Sequence, residues 1–334
     1  MKKSINRLLV SLIIIGILSS CTPASVATVS SETDEIAATP DNSETPTFPP
    51  SETESPQPTD AATSTITPSS TATPDIRLDP ADWQNWPVIP TVSARAKAIY
   101  ARGLEEGRFL DRFSKIGDCQ NIPPYFLAFF DSPERYDLGE KYAYLQEAID
   151  HFSGSFSRES AATKGGMNVA AVISNSYFWL DQERCEDGES PLACELRLNQ
   201  PSIALISMEE SWGSGNKVEN YEKYLRQIIE TVIEFGVVPI LATKADNMEG
   251  DHQINQTIAR LAYEYDIPLW NFWLAVQPLP NHGLQDDGFH LTGLDNFSNI
   301  MNRKHAWPVR NLTALQAIDA VWCQLNDLPL PPTS

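Results

Sequence analysis

Ser202-Ile203-Ala204-Leu205-Ile206-Ser207 sets the fold class, because four consecutive apolar residues stand between two serines with no polar alternation. A run this short suits a strand better than a helix, and its continuity means that both faces are covered, as in a parallel sheet. Val237-Val238-Pro239-Ile240-Leu241-Ala242 repeats the pattern. Between the two, Tyr221 to Phe235 carries apolar residues at helical spacing and stops at Gly236, a good helix terminator. Outward from this centre, Asp111 to Ile116 reads as a first strand and Ile267 to Asn271 as a last one. Leu138 to Phe152 reads as a helix with Leu138, Tyr142, Leu145, Ala148, Ile149 and Phe152 on one face; Gln253 to Tyr265 and Asn311 to Leu325 read as two more. A second strand is placed near Ser155 to Ser160. Repeated strand-helix alternation predicts an α/β fold with a mostly parallel, doubly wound sheet of five strands and a site at their carboxyl ends.

Residues 1–20 carry Lys2, Lys3 and Arg7 ahead of an apolar run from Leu8 to Leu18, too short for a comfortable membrane span and flanked like an export signal. Leu18-Ser19-Ser20-Cys21 resembles the lipobox of bacterial lipoproteins, in which the cysteine becomes the lipidated first residue. That resemblance implies a protein held to the outer face of a membrane by lipid on Cys21, without spanning it. Residues 21–75 are rich in Ser, Thr, Pro and acids and almost devoid of large apolar residues, the composition of a disordered linker. A flexible coil of about fifty residues reaches roughly 40 Å end to end, and its prolines lengthen it. Residues 76–334 then form one domain, long enough for a real core, with Trp83 and Trp86 expected to pin the linker's end onto it.

Lys and Arg number 24 against 44 Asp and Glu, a formal net charge of -20. Such a balance disfavours nucleic acid and anionic lipid as partners. No phosphate-cradling glycine loop, dinucleotide fingerprint or Gly-x-Ser-x-Gly elbow is present. No Cys/His cluster has zinc spacing and no aspartates follow a calcium-loop pattern, so no metal or cofactor is expected.

Chemistry concentrates at two places. In Asp287-Gly288-Phe289-His290, an acid three residues before a histidine on a glycine-containing turn can orient one imidazole nitrogen and leave the other free as a base. After the first strand, Gly117-Asp118-Cys119 makes a tight turn that delivers Cys119 to the sheet edge near a helix start. Together these segments resemble the SGNH (GDSL-like) hydrolases, a family of esterases and acyl hydrolases with Gly-Asp-Ser after the first strand and Asp-x-x-His before the last helix. The resemblance implies a three-layer α/β/α sandwich with a flavodoxin-like sheet. It also implies an ester substrate, a small molecule or an acylated extracellular glycan. Carried over by position, Gly117 and Asp118 match the first motif, but Cys119 takes the place of the family's serine nucleophile. Gly166, ahead of an expected helix, suits the family's oxyanion glycine; Ser211 is the best match for its oxyanion asparagine, with Glu209 where a glycine belongs. Asp287 and His290 match in full.

Three readings of that departure stand side by side. Cys119 is a thiolate nucleophile with His290 as base, Asp287 holding the tautomer and the Cys119 and Gly166 amides plus Ser211 receiving the oxyanion. Alternatively the site is catalytically inactive, a glycan-binding or surface-scaffold protein on the same fold. In the third, Asp118, Glu209, Glu210 and Asp246 form a separate metal or acid-base centre. Cysteine pairing bears on the choice: with Cys21 lipidated, Cys185 and Cys194 flank a short turn and are the natural disulfide, leaving Cys119 and Cys323, although three connectivities are open. Trp270-Asn271-Phe272-Trp273 offers either an aromatic platform for a sugar ring or core packing. Asp246, Asn247 and the Asp251-His252 pair suit turns and helix starts. Oligomeric state is not legible.

Overall fold

A computed structural model describes residue 75 and residues 77–208 and 217–330. The chain divides into two units, Met1–Ile76 and Arg77–Ser334, and the second holds all the elements described below.

Four strands, β1 (Phe109–Gly117), β2 (Pro201–Ser207), β3 (Val238–Ala242) and β4 (Leu269–Trp270), form one sheet in the order β1-β2-β3-β4. All three pairings are parallel. Every residue of β2 and β3 is buried, as their unbroken apolar runs require. The register of β1 against β2 shifts between Phe109 and Phe113, and there Ser202 Oγ donates to the carbonyls of Leu110 and Arg112.

The helices are α1 (Ala94–Glu105), α2 (Gly139–Tyr142), α3 (Gln146–His151), α4 (Pro191–Asn199), α5 (Val218–Glu234), α6 (Gln253–Tyr265), α7 (Phe272–Val276) and α8 (Ala306–Leu325). Helix α5 buries Tyr221, Leu225, Ile228, Ile229 and Val232, a single stripe at the spacing read from the sequence. At about 1.5–3 kcal/mol for each large side chain removed from water, that stripe dominates its docking. Helix α8 buries residues all round, including Arg310, Asn311 and Asp319. Helix α1 is capped by Ser93, whose Oγ accepts from Ala96 N, and crosses the turn after α5 so closely that a Cβ on Gly103 would lie 1.9 Å from the Gly236 carbonyl oxygen. Ahead of it, Trp83 and Trp86 are buried, and Asn271 Nδ2 donates to both of their carbonyls. No helix among the described residues is long and apolar enough to cross a membrane.

Two expectations are corrected. The helix expected over Leu138–Phe152 is divided into α2, a 3₁₀ turn at Ala143–Leu145, and α3, with no side-chain cap at any of the three starts. The described residues form four strands rather than five, and the segment near Ser155–Ser160 is not a strand. It lies beside β1 but is tied there by side chains: Phe113 N donates to Ser155 Oγ, and the buried Lys115 Nζ donates to Phe156 O at 2.6 Å. Main-chain pairing is reached only at its far end, where Gly117 N donates to Ala162 O and Gly117 bridges Thr163 in parallel. Buried Glu195 of α4 completes the attachment, accepting from Ser114 Oγ, both Arg158 Nη atoms and Ala161 N.

Candidate active site at the carboxyl edge of the sheet

β1 ends at Gly117, where a side chain has no room: an added Cβ would lie 2.1 Å from Asn121 Nδ2 and 2.3 Å from the Ser207 carbonyl oxygen. That space is taken because Asn121 Nδ2 donates to Ser207 O at 2.7 Å, joining the ends of β1 and β2. Cys119–Asn121 is one 3₁₀ turn, capped by Asp118 through Gln120 N to Oδ1. The expected helix start behind Cys119 is therefore corrected to a three-residue turn, too short for a useful helix dipole. Cys119 is half-buried and carries a thiol rather than a disulfide.

The positive charge at this edge comes from Arg310 on the first turns of α8. It is wholly buried, and its Nη2 donates to Asn121 Oδ1 and Ser207 Oγ, each at 3.1 Å. Its guanidinium carbon lies 4.3 Å from the ring centre of Phe126, 5.3 Å from Phe272 and 5.6 Å from Trp270. Aromatic faces thus stand in for the lost water. Burial works against the Arg310 charge, while Asp118 and Cys119 work for it. Burial pushes the Asp118 carboxyl up to about 6, opposed by the Gln120 N–H and Arg310 and reinforced by Asp246. Its Oδ2 has no hydrogen-bond partner among the described residues. Nearby, Lys244 Nζ bonds Asp246 Oδ1 and Glu249 Oε2, both at 2.7 Å, in a buried ion triad.

Asp287 and His290 occupy a hairpin between α7 and α8, closed by the Leu284–Leu291 bridge. Asp287 Oδ1 accepts from the backbone N–H of Phe289 and of His290, and Oδ2 lies 2.5 Å from His290 Nδ1. The ring's hydrogen bond, then the Phe289 N–H, hold the Asp287 carboxyl down to about 2. His290 Nε2 makes no hydrogen bond among the described residues. The hairpin is fixed to α8 because Thr292 accepts from Ala306 N through Oγ1 and from Trp307 N through its carbonyl. Helix α8 in turn carries Arg310 to the Cys119 turn, and Asn311 Oδ1 accepts from Leu127 N.

Of the residues singled out in the sequence, the structure brings Asp287 onto His290 and sets Asp118 and Cys119 in the field of Arg310; it gives no hydrogen bond between Cys119 and His290. Gly166 has φ +76°, a left-handed turn that a glycine suits, but the helix expected after it is replaced by turns held by Asn168. Ser211, Glu209 and Glu210 lie outside the described residues, as does Cys21. Cys185 and Cys194 are joined by a disulfide, and Cys323 packs its thiol 3.9 Å from Asp319 Oδ1. Trp270 and Phe272 are wholly buried and face Arg310, so the sugar platform considered for them is corrected to a cation box. Asp246 and Asn247 cap turns through Met248 N and His252 N, and His252 heads α6.

Arg310, Asn121 and Lys244 were not singled out from sequence. One signal was present: Arg310 is the one charged residue in the first half of the closing helix. No family model matches the chain, and no curated protein matches it.

Proposed function

We propose that this chain is a lipid-anchored, extracytoplasmic ester hydrolase of SGNH type, with a three-layer, flavodoxin-like sandwich and Cys119 as nucleophile. The observation that carries the reading is the Asp287–His290 hydrogen bond with its outward nitrogen left over, on a hairpin tied to the helix that also serves the Cys119 turn. In this reading His290 Nε2 takes the Cys119 proton and the thiolate attacks the ester carbonyl. The oxyanion is received by the Cys119 and Gly166 amides and the Ser211 hydroxyl. The alkoxide leaves with the proton held by His290, and water then releases the acid from the thioester. Asp287 holds the tautomer and stabilises the imidazolium. Arg310 favours the thiolate as a nearby cation. Catalytic hydrogen bonds commonly tighten only once substrate is bound, so a Cys119–His290 bond is required of the complex rather than of the empty site.

Mass-spectrometric mapping of iodoacetamide adducts on the purified, unreduced protein, run beside hydrolysis of p-nitrophenyl acetate, tests this. Rapid Cys119 labelling with parallel loss of hydrolysis is expected. Hydrolysis that survives full labelling, or is absent before it, overturns the reading.

A second reading has its own observation: the His290 and Asp287 side chains are 45% and 47% exposed, whereas the orienting acid of a catalytic triad is buried. In that case the protein is a catalytically silent glycan binder or surface scaffold, and the same experiment separates the two.

A further inference from the structure

Between the hairpin that carries Asp287 and His290 and the start of α8 lies a cavity of about 520 Å³ that the hydrolase chemistry does not use. Pro280, Leu284 and Asp286 line it from the hairpin side, and Lys304 and His305 from the helix side. In a chain with 44 acidic residues against 24 lysines and arginines, Arg303-Lys304-His305 is the one place where three basic residues follow one another. Arg303 is engaged elsewhere, donating through Nη1 to the Tyr142 hydroxyl. Lys304 and His305 are left to the cavity.

The walls are set before any ligand arrives. A Cβ on Gly293 would lie 2.3 Å from His305 Cβ, and one on Gly283 2.7 Å from Ala306 Cβ, so both arms of the hairpin press against the beginning of α8. Thr292, which also lines the cavity, accepts from Ala306 N through Oγ1 and from Trp307 N through its carbonyl. Asn281 locks the turn on the other arm, donating from Nδ2 to Leu284 O and Gln285 O. Because Thr292 already engages the first amides of α8 and Pro308 has none, recognition in the cavity falls to side chains rather than to the helix end.

Opposite charges face this cavity without meeting. Asp286 and Lys304 form no ion pair, and neither they nor the His305 ring has a side-chain hydrogen bond among the described residues. A plain anion drawn to Lys304 meets the Asp286 carboxylate, a plain cation drawn to Asp286 meets the Lys304 ammonium, and an uncharged ligand uses neither charge. A molecule that carries both charges satisfies both walls: its ammonium bonds Asp286, its carboxylate bonds Lys304 and His305, and its carbon chain lies beside Pro280 and Leu284.

We infer that this cavity binds a small zwitterion, an amino acid with an aliphatic chain, which joins the hairpin to α8 across the gap. The inference goes beyond the hydrolase reading and stands without it, since Cys119, Asp287 and His290 are not among the residues that line the cavity.

Isothermal titration calorimetry of the purified full-length protein with L-leucine, L-alanine and 4-aminobutanoate tests it. The comparators are 4-methylpentanoate and isoamylamine, which are leucine without its ammonium and leucine without its carboxylate. At least one zwitterion is expected to bind, and to bind at least tenfold more tightly than either comparator. Lys304→Gln/His305→Gln and, separately, Asp286→Asn are each expected to weaken that binding by about tenfold, the loss of a charge-assisted contact. Asp286 is exposed, so Asp286→Asn probes the site even where circular dichroism shows that the double variant has not folded. No heat with any of the three zwitterions, or binding unchanged in Asp286→Asn, overturns the inference. Binding of 4-methylpentanoate as tight as that of leucine overturns it in favour of a simple anion site. Hydrolysis of p-nitrophenyl acetate by the same preparation keeps the two ideas apart: hydrolysis without zwitterion binding removes only this inference, and binding without hydrolysis removes only the enzyme.

Discussion

Asp118 is an acid that the fold keeps from ionising easily. Its folded value of about 6 stands above the roughly 3.9 of an unfolded aspartate, so between those values the folded chain holds more protons than the unfolded one. Stability therefore falls as pH rises from about 4 to 6, and the penalty is complete above that window. Asp118→Asn keeps the Oδ1 acceptor for Gln120 N and is expected to stabilise the protein by about 3 kcal/mol at pH 8 with little effect at pH 4. Thermal melts of both proteins at the two pH values check this; equal differences at both would contradict it. Asp287 behaves in the opposite way. Held down to about 2, it stays ionised across the working range, so activity lost between pH 4 and 7 does not come from its protonation. Asp287→Asn, by releasing the tautomer, is expected to cost about 10³–10⁴-fold in ester hydrolysis, read from initial rates. This pair was legible in the sequence because its partners are three residues apart and share one turn. Arg310 was not, because its role depends on which end of α8 meets the carboxyl edge of the sheet, a long-range fact with no local pattern.

The same contrast holds for elements. β2, β3, α5 and α6 announce themselves by continuous apolar runs or a clear helical stripe. α1 and α4 do not, because α1 buries Ala96 and Gly103 beside only Ile99 and Tyr100, and α4 buries the charged Glu195. The expected second strand failed because one serine, Ser155, and the buried Lys115 supply its bonds to β1 in place of a ladder. Glu195 is central to that attachment. Glu195→Ala is expected to destabilise the fold by about 3–5 kcal/mol, since it leaves Arg158 unpaired and Ala161 N without its acceptor. Urea unfolding reads the change, and an unshifted midpoint would refute the role assigned to the carboxylate. Gly103→Ala, despite the better helix propensity of alanine, is expected to cost about 3 kcal/mol by forcing α1 off the Gly236 turn, again as a lower urea midpoint.

At the scale of the molecule, a net charge of -20 makes self-repulsion a standing load on the folded state. Raising the ionic strength from about 0.01 to 0.15 M, which shortens the screening length from about 30 to 8 Å, is expected to raise the melting temperature. A fall would mean that the arginine–glutamate network of Glu222, Arg226, Arg260 and Glu264 outweighs that repulsion. The side-chain lacing along β1 has one further effect. Parallel sheets are vulnerable at their outermost strands, where unused amide groups can recruit another molecule. Here one margin is occupied by the laced segment from Ser155 to Thr163, and the other is β4, two residues long, beyond which Asn271 N is already bonded to Val88 O. With neither margin open as a template, many copies can stand shoulder to shoulder at high density without zipping into intermolecular β-structure.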